Sequence, residues 1–189
     1  MEYLGTTLSE DVHDKHELLK RIAMAKKDFI ALSNVWRRSA LTWNRKLAIY
    51  DAIIESKLLF GLSSICMTAA QERQLNGFQN RCVRTIIGVK PSYISRVSNA
   101  DVLIKAGQAA ATQNLRKRQM QLLDKVVRSP EGHPLRTATF IPGTNRPLTE
   151  RYVRKRGRPY KEWLRTLWPA CCREFDRDGD GVLCSFQSR

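Results

Sequence analysis

Along residues 43–67 the apolar side chains recur at Leu47, Tyr50, Ile54, Leu58 and Ile65, with Ile53 and Leu62 widening the stripe. Spacings of three, four and seven put them on one helical face, so the pattern predicts a central helix packed between two others. Arg45, Lys46, Asp51, Glu55 and Lys57 fall off the stripe and are expected in solvent, and Thr42 stands where a hydroxyl can cap the first turn. Upstream, Leu18, Ile22, Ala25, Phe29, Leu32 and Trp36 alternate steps of four and three, which predicts a long helix over 14–36 with a nearly antiparallel neighbour. Downstream, Thr68 and Gln71 have the spacing of a capping box. Leu75, Phe78, Cys82 and Ile86 then line the inner face of a third helix, Arg73, Arg81 and Arg84 its outer face, and Gly88 and Pro91 stop it. A short helix opened by Ser98 or Asn99 closes at Gly107. Another covers about 108–127, with Leu115, Leu122 and Val126 inward and Arg116, Lys117 and Arg118 as a basic cluster. The expected fold class is mainly α, a helical bundle over 13–127.

The ends read differently. Tyr3, Leu4, Thr6 and Thr7 suit a short strand and Gly5 a turn or bulge, so 1–12 is expected to be an isolated strand remnant. From Ser129 the composition shifts to Pro130, Pro134, Pro142 and Pro147 with Gly132 and Gly143, which makes 128–150 a linker by its chemistry. Residues 151–175 follow as a basic segment and a short helix holding Trp163, Leu164, Leu167 and Trp168, broken near Pro169. The tail over 176–189 is acidic at its start.

Charge sharpens the picture. The chain carries 33 Lys+Arg against 18 Asp+Glu, a net +15. A polyanionic partner is the usual reason, because each cation placed on a phosphate releases condensed counterions. The candidate contacts are Lys26, Arg45, Arg81 and Arg84 on the helices and Arg151, Arg154, Lys155, Arg156 and Arg158 in the segment RYVRKRGRP, where five of nine side chains are basic. The five cysteines, Cys66, Cys82, Cys171, Cys172 and Cys184, are odd in number and contain no C-x-x-C, which points to reduced thiols in an intracellular protein, nuclear or cytoplasmic. Acidic residues interrupt the N-terminus, so no secretory leader is expected, and the longest uncharged run, Leu58 to Gln71, is too short to cross a bilayer. His13 and His16 have helical metal-ligand spacing but lack a third ligand.

No H-E-x-x-H, G-x-S-x-G or P-loop is present, so catalysis has no foothold in the motifs. Tyr3-Leu4-Gly5, then Arg21-Ile22, Ala25, Phe29 and Trp36, then Lys46, Tyr50 and Ser56-Lys57-Leu58-Leu59-Phe60-Gly61, then Leu75, Phe78 and Cys82-Val83-Arg84-Thr85-Ile86-Ile87-Gly88 are similar, in order and spacing, to non-LTR retrotransposon reverse transcriptases just after the palm. Arg156-Gly157-Arg158-Pro159 with Trp163 resembles a basic signature near the end of such reading frames. The resemblance spans about residues 3 to 165. It implies that Tyr3-Leu4-Gly5 ends the palm, that the helices form the thumb holding a template–primer duplex, and that fingers and palm of a parent polymerase are the partner. The catalytic aspartates of that family precede this stretch. The resemblance therefore implies a non-enzymatic fragment, since two-metal polymerisation needs carboxylates to hold the ions. The family's Leu-Leu-Tyr-Gly stands here as Leu58-Leu59-Phe60-Gly61.

Two further resemblances open other readings. Lys155 to Lys161, KRGRPYK, resembles an AT-hook, whose arginines lie in the narrow minor groove of A·T-rich DNA. Asp176, Asp178 and Asp180 take the first, third and fifth places of an EF-hand-like calcium loop, with Gly181 at the sixth and Val182 at the backbone-carbonyl place. Gln187 stands at the twelfth place, where a bidentate Glu belongs, so any calcium site is weak. The expected function is nucleic-acid binding as a thumb and connector, with a calcium-binding protein or an AT-hook module as the alternatives. No other cofactor and no membrane partner are expected.

Overall fold

The computed structural model describes residues 2, 3, 6, 7, 14–38, 40–144, 148, 163, 164 and 166–168, with side-chain surroundings from His16 onward. The protein is mainly α. A two-residue antiparallel ladder, β1 (Glu2–Tyr3) with β2 (Thr6–Thr7), pairs Glu2 with Thr7 and Tyr3 with Thr6. Helices follow: α1 (Asp14–Ala31), α2 (Ser33–Arg37), α3 (Trp43–Ile49), α4 (Ser56–Leu58), α5 (Ala69–Ile87), α6 (Ser92–Ser95), α7 (Asn99–Ala106), α8 (Ala111–Arg128) and α9 (Pro134–Thr139). The chain divides into two compact units, 1–116 and 117–189, the boundary falling inside α8.

In the first unit Leu18, Ala25, Leu47, Tyr50, Ile54, Leu58, Leu75, Cys82 and Ile86 share one core, with Ile22 and Phe29 packed against it. The three stripes read from the sequence therefore meet. The long first helix is broken at Leu32, where the chain turns before α2. Trp36 lies stacked on Phe29 at 5.0 Å between ring centroids, and its indole Nε1 donates to the Phe29 carbonyl at 2.7 Å.

The central helix departs from expectation in two ways. It ends after Leu58, and Gly61, at φ 73, turns the chain into a short 3-10 turn (Leu62–Ser64), so Ile65 and Cys66 lie beyond the helix. Between α3 and α4 the chain forms a π-helical stretch, Tyr50–Glu55. An α-helix drifts by about 40° for every step of four residues. The wider π turn cancels that drift and keeps Lys46 and Leu47, Tyr50, Ile54 and Glu55, and Leu58 and Leu59 all facing inward. Lys46 and Glu55, expected in solvent, are consequently buried, and Ile53, expected to widen the core stripe, is exposed. The Lys46 ammonium donates to the Trp36 carbonyl at 2.8 Å, and Glu55 Oε1 accepts from Asn114 Nδ2 at 2.6 Å. Thr42 precedes α3 but makes no side-chain cap bond.

Helix α5 follows its sequence closely. The Thr68 hydroxyl accepts from the Gln71 amide and the Gln71 side chain accepts from the Thr68 amide, a complete capping box. Gly88, at φ 73, closes the helix in the left-handed conformation, and the amide of Val89 reaches back to the Arg84 carbonyl. The start of α8 is held from outside its own sequence. Fully buried Gln79 on α5 accepts from the Ala111 amide at 2.6 Å and donates to the Ala109 carbonyl at 2.8 Å. Asn76 does the same for the Thr112 amide and hydroxyl, both at 3.1 Å. Helix termini leave unpaired N–H groups, and α5 supplies the acceptors.

In the second unit Met120, Leu123, Val126, Phe140 and Leu167 form a smaller core, with Trp163, Leu164 and Trp168 against it. Leu123 rather than Leu122 takes the fully buried position on α8. Part of 128–150, read from its composition as a linker, is helical: Pro134 opens α9 behind His133, and Phe140 packs edge-on against Trp168 at 5.5 Å. Among the described residues no helix is long and apolar enough to cross a membrane.

Candidate nucleic-acid interface

Of the helical cations singled out from the sequence, Lys26 on α1, Arg45 on α3 and Arg81 on α5 are exposed and enter no ion pair among the described residues. Helices α1 and α3 both pack on α5. Lys27, Arg37, Arg38 and Arg73 are also exposed, without carboxylate partners among the described residues. On α5, Arg73 and Arg81 lie two turns or so apart, about 12 Å along the axis. Each turns its Nε back to the carbonyl four residues earlier, Ala69 at 3.2 Å and Gly77 at 3.1 Å. The terminal amino groups are left to solvent, and the strip of helix between them is bare at Gly77, where an added Cβ would meet only open space.

Arg84 does not join this set. Expected on the outer face of α5, it is 7% exposed and spends its guanidinium inside the fold. Nε and Nη2 both donate to Asn99 Oδ1, at 3.0 and 2.8 Å, Nη1 donates to the Lys90 carbonyl at 2.8 Å, and Nη2 to the Val97 carbonyl at 2.7 Å. The cause is α7, which packs against α5 and widens its buried face beyond the Leu75–Ile86 stripe. Periodicity within one helix cannot show which flank a later helix covers.

Apart from Glu72, exposed beside Arg73 at the start of α5, the carboxylates with described surroundings in this unit face inward or pair locally. Glu17 holds Arg21 at 2.6 Å, and the Arg21 guanidinium also lies 4.7 Å above the Phe60 ring. Asp28 pairs with Lys57, Asp51 accepts from Gln108 at 3.0 Å, Glu55 from Asn114, and Asp101 from the Ser98 hydroxyl at 2.7 Å. What remains toward water in this unit is mainly positive.

Two titrating groups sit at the core of the first unit. Burial raises the Cys82 thiol to about 12, partly opposed by Arg81 nearby. Burial raises the Tyr50 phenol further, with Cys82, Glu55 and Asp51 adding to it, and its hydroxyl has no hydrogen-bond partner among the described residues. Both groups are neutral at physiological pH, which suits a structural core.

Arg151, Arg154, Lys155, Arg156 and Arg158 lie outside the described residues, as do Asp176, Asp178, Asp180, Val182 and Gln187 of the calcium-loop reading. Among the described residues no three His, Cys, Asp or Glu side chains come together as a metal site. Sequence reasoning passed over Tyr93, exposed at 75% between Lys90 and Arg96, because a lone aromatic among serines carries no periodicity.

No family model, no curated protein and no solved structure matches this chain.

Proposed function

We propose that the chain is a nucleic-acid-binding element, the thumb and connector of a non-LTR-type reverse transcriptase, gripping a template–primer duplex or DNA by its phosphates. The observation that carries this reading is the division of charge in the first unit. Glu17, Asp28, Asp51, Glu55 and Asp101 are engaged within the fold, while Lys26, Arg45, Arg73 and Arg81 face water with no carboxylate partner among the described residues. An exposed cation with no internal partner is free to displace a counterion from a phosphate. The order of the Arg21-Ile22, Ser56–Gly61 and Cys82–Gly88 pieces supports the thumb assignment, and the helices that carry them share one core. Catalysis in such an assembly belongs to the palm, so the chain alone extends no primer.

The test is binding of labelled duplex by the full chain across a salt series. Affinity falls steeply as salt rises, and the log–log slope drops by about 0.9 for each phosphate contact removed from B-form DNA. Charge reversal of Lys26, Arg45 and Arg81 lowers that slope. Binding that does not change between low and physiological salt overturns the proposal.

A further inference from the structure

Residues 90–97 form a short projection whose base is fastened from inside the protein. Arg84 bonds the carbonyls of Lys90 and Val97, the two ends of the segment, and ties both to Asn99 through one buried guanidinium. At the turn, Arg96 adopts φ 57, the one left-handed residue other than glycine among the described residues. That conformation costs a non-glycine residue about 1–2 kcal/mol and persists only where the surroundings enforce it. Here the Arg96 amide donates to Ser92 at 2.9 Å and its neighbour Val97 is held by Arg84. The projection is thus rigid without a core of its own.

What it displays is unusual for a surface. Tyr93 is 75% exposed and Ile94 53%, three residues from Lys90 on one side and within three of Arg96 on the other. No acidic residue occurs from Arg73 to Ala100, and the carboxylate of Asp101 is already occupied by the Ser98 hydroxyl. An exposed aromatic ring on a fastened backbone, flanked by two cations with no ion pair among the described residues, fits a polyanion that carries flat apolar groups. A paired base has both faces covered by its neighbours, so a projecting ring reaches only an unpaired one.

We propose that the 90–97 projection is a platform for single-stranded nucleic acid, with an unpaired base stacked on Tyr93 and the adjoining phosphates at Lys90 and Arg96. The inference rests on the nucleic-acid reading above but concerns a different substrate form and different residues from the duplex contacts on α1, α3 and α5. It requires no sequence preference, because every base offers a π face.

The experiment compares the full chain with Tyr93→Ala and Tyr93→Phe on a labelled single-stranded oligonucleotide and on a duplex of matched length. Tyr93→Ala weakens single-strand binding by about 5- to 150-fold, Tyr93→Phe keeps it within about twofold, and neither alters duplex affinity or its salt slope. An abasic single strand is held by the parent chain no better than the intact strand is held by Tyr93→Ala. Unchanged single-strand affinity in Tyr93→Ala, with salt-dependent duplex binding intact, overturns the platform and leaves the duplex reading standing. Loss of duplex binding to the same degree also overturns it. If the unsubstituted chain binds neither form, the nucleic-acid reading itself has failed. If polyglutamate displaces the single strand from the parent chain at equal charge concentration, the projection is an acidic-protein site instead.

Discussion

The two units solve the same problem with different materials. The first, residues 1–116, buries a broad aliphatic core and then uses polar side chains to finish the ends of its elements: Gln79 and Asn76 at the start of α8, Arg84 beneath 90–97, Lys46 on the Trp36 carbonyl. The second, residues 117–189, has among its described residues a small core, Met120, Leu123, Val126, Phe140 and Leu167, completed by large rings at its margin, Phe140 meeting Trp168 with Trp163 also packed against the core. A small core depends on a few large side chains because each ring removes more apolar area from water than a branched aliphatic residue. A large core already has area and depends instead on leaving no buried donor or acceptor unpaired. Damage to the two units should therefore take different forms.

The sharpest way to break the contrast is Phe140→Ala. The expected cost is about 3–5 kcal/mol, set by lost burial and the cavity left behind. Amide hydrogen exchange should lose protection in α9 and the end of α8, while α5 keeps its own. Equal loss in α5 would mean that the units do not differ in the way described.

Gln79→Leu tests the polar side. The volume is kept, but the Ala111 amide and the Ala109 carbonyl lose their partner, and an orphaned buried group costs about 1–3 kcal/mol. Urea denaturation should show a clear destabilisation, whereas Gln79→Glu, which keeps an acceptor for the Ala111 amide, should cost less at a pH where the carboxyl is protonated. A neutral Gln79→Leu would place the stability of the first unit in its aliphatic core alone.

Alkaline pH gives a smaller, graded effect. Below about pH 9 the Cys82 thiol keeps its proton folded or unfolded. Between about pH 9 and about 12 the unfolded chain releases that proton and the folded chain holds it, so stability falls as pH rises through this window. The Tyr50 phenol shifts in the same direction. Thermal melting in that range should decline less steeply in Cys82→Ala than in the parent chain, and identical slopes would exclude the thiol as a contributor.

The smallest expected change is Tyr50→Phe. The hydroxyl is buried without a partner, so removing it should leave stability unchanged or raise it by about 1 kcal/mol. A loss of more than about 1 kcal/mol would show that the hydroxyl makes a bond after all.

Much of the helical organisation is local information. The capping box at Thr68 and Gln71, the left-handed glycine at Gly88 and the Ser98 cap with Gly107 at the far end of α7 all formed where their residue types put them. Those signals act within one turn, through hydroxyl caps and the absence of a Cβ, and need nothing distant. The alternation at Leu18–Trp36, the stripe at Leu47–Leu58 and that at Leu75–Ile86 likewise specified which faces would be buried, because apolar periodicity is a property of each helix alone. Tertiary structure decided everything that depends on a neighbour. It put Lys46, Glu55 and Arg84 inside, since the π stretch realigned one face and α7 covered the flank of another. It drew Gln79 and Asn76 to a helix start more than thirty residues away. Whether a cation faces water or a carbonyl is settled by what packs beside it, and that is not written in the spacing of its own helix.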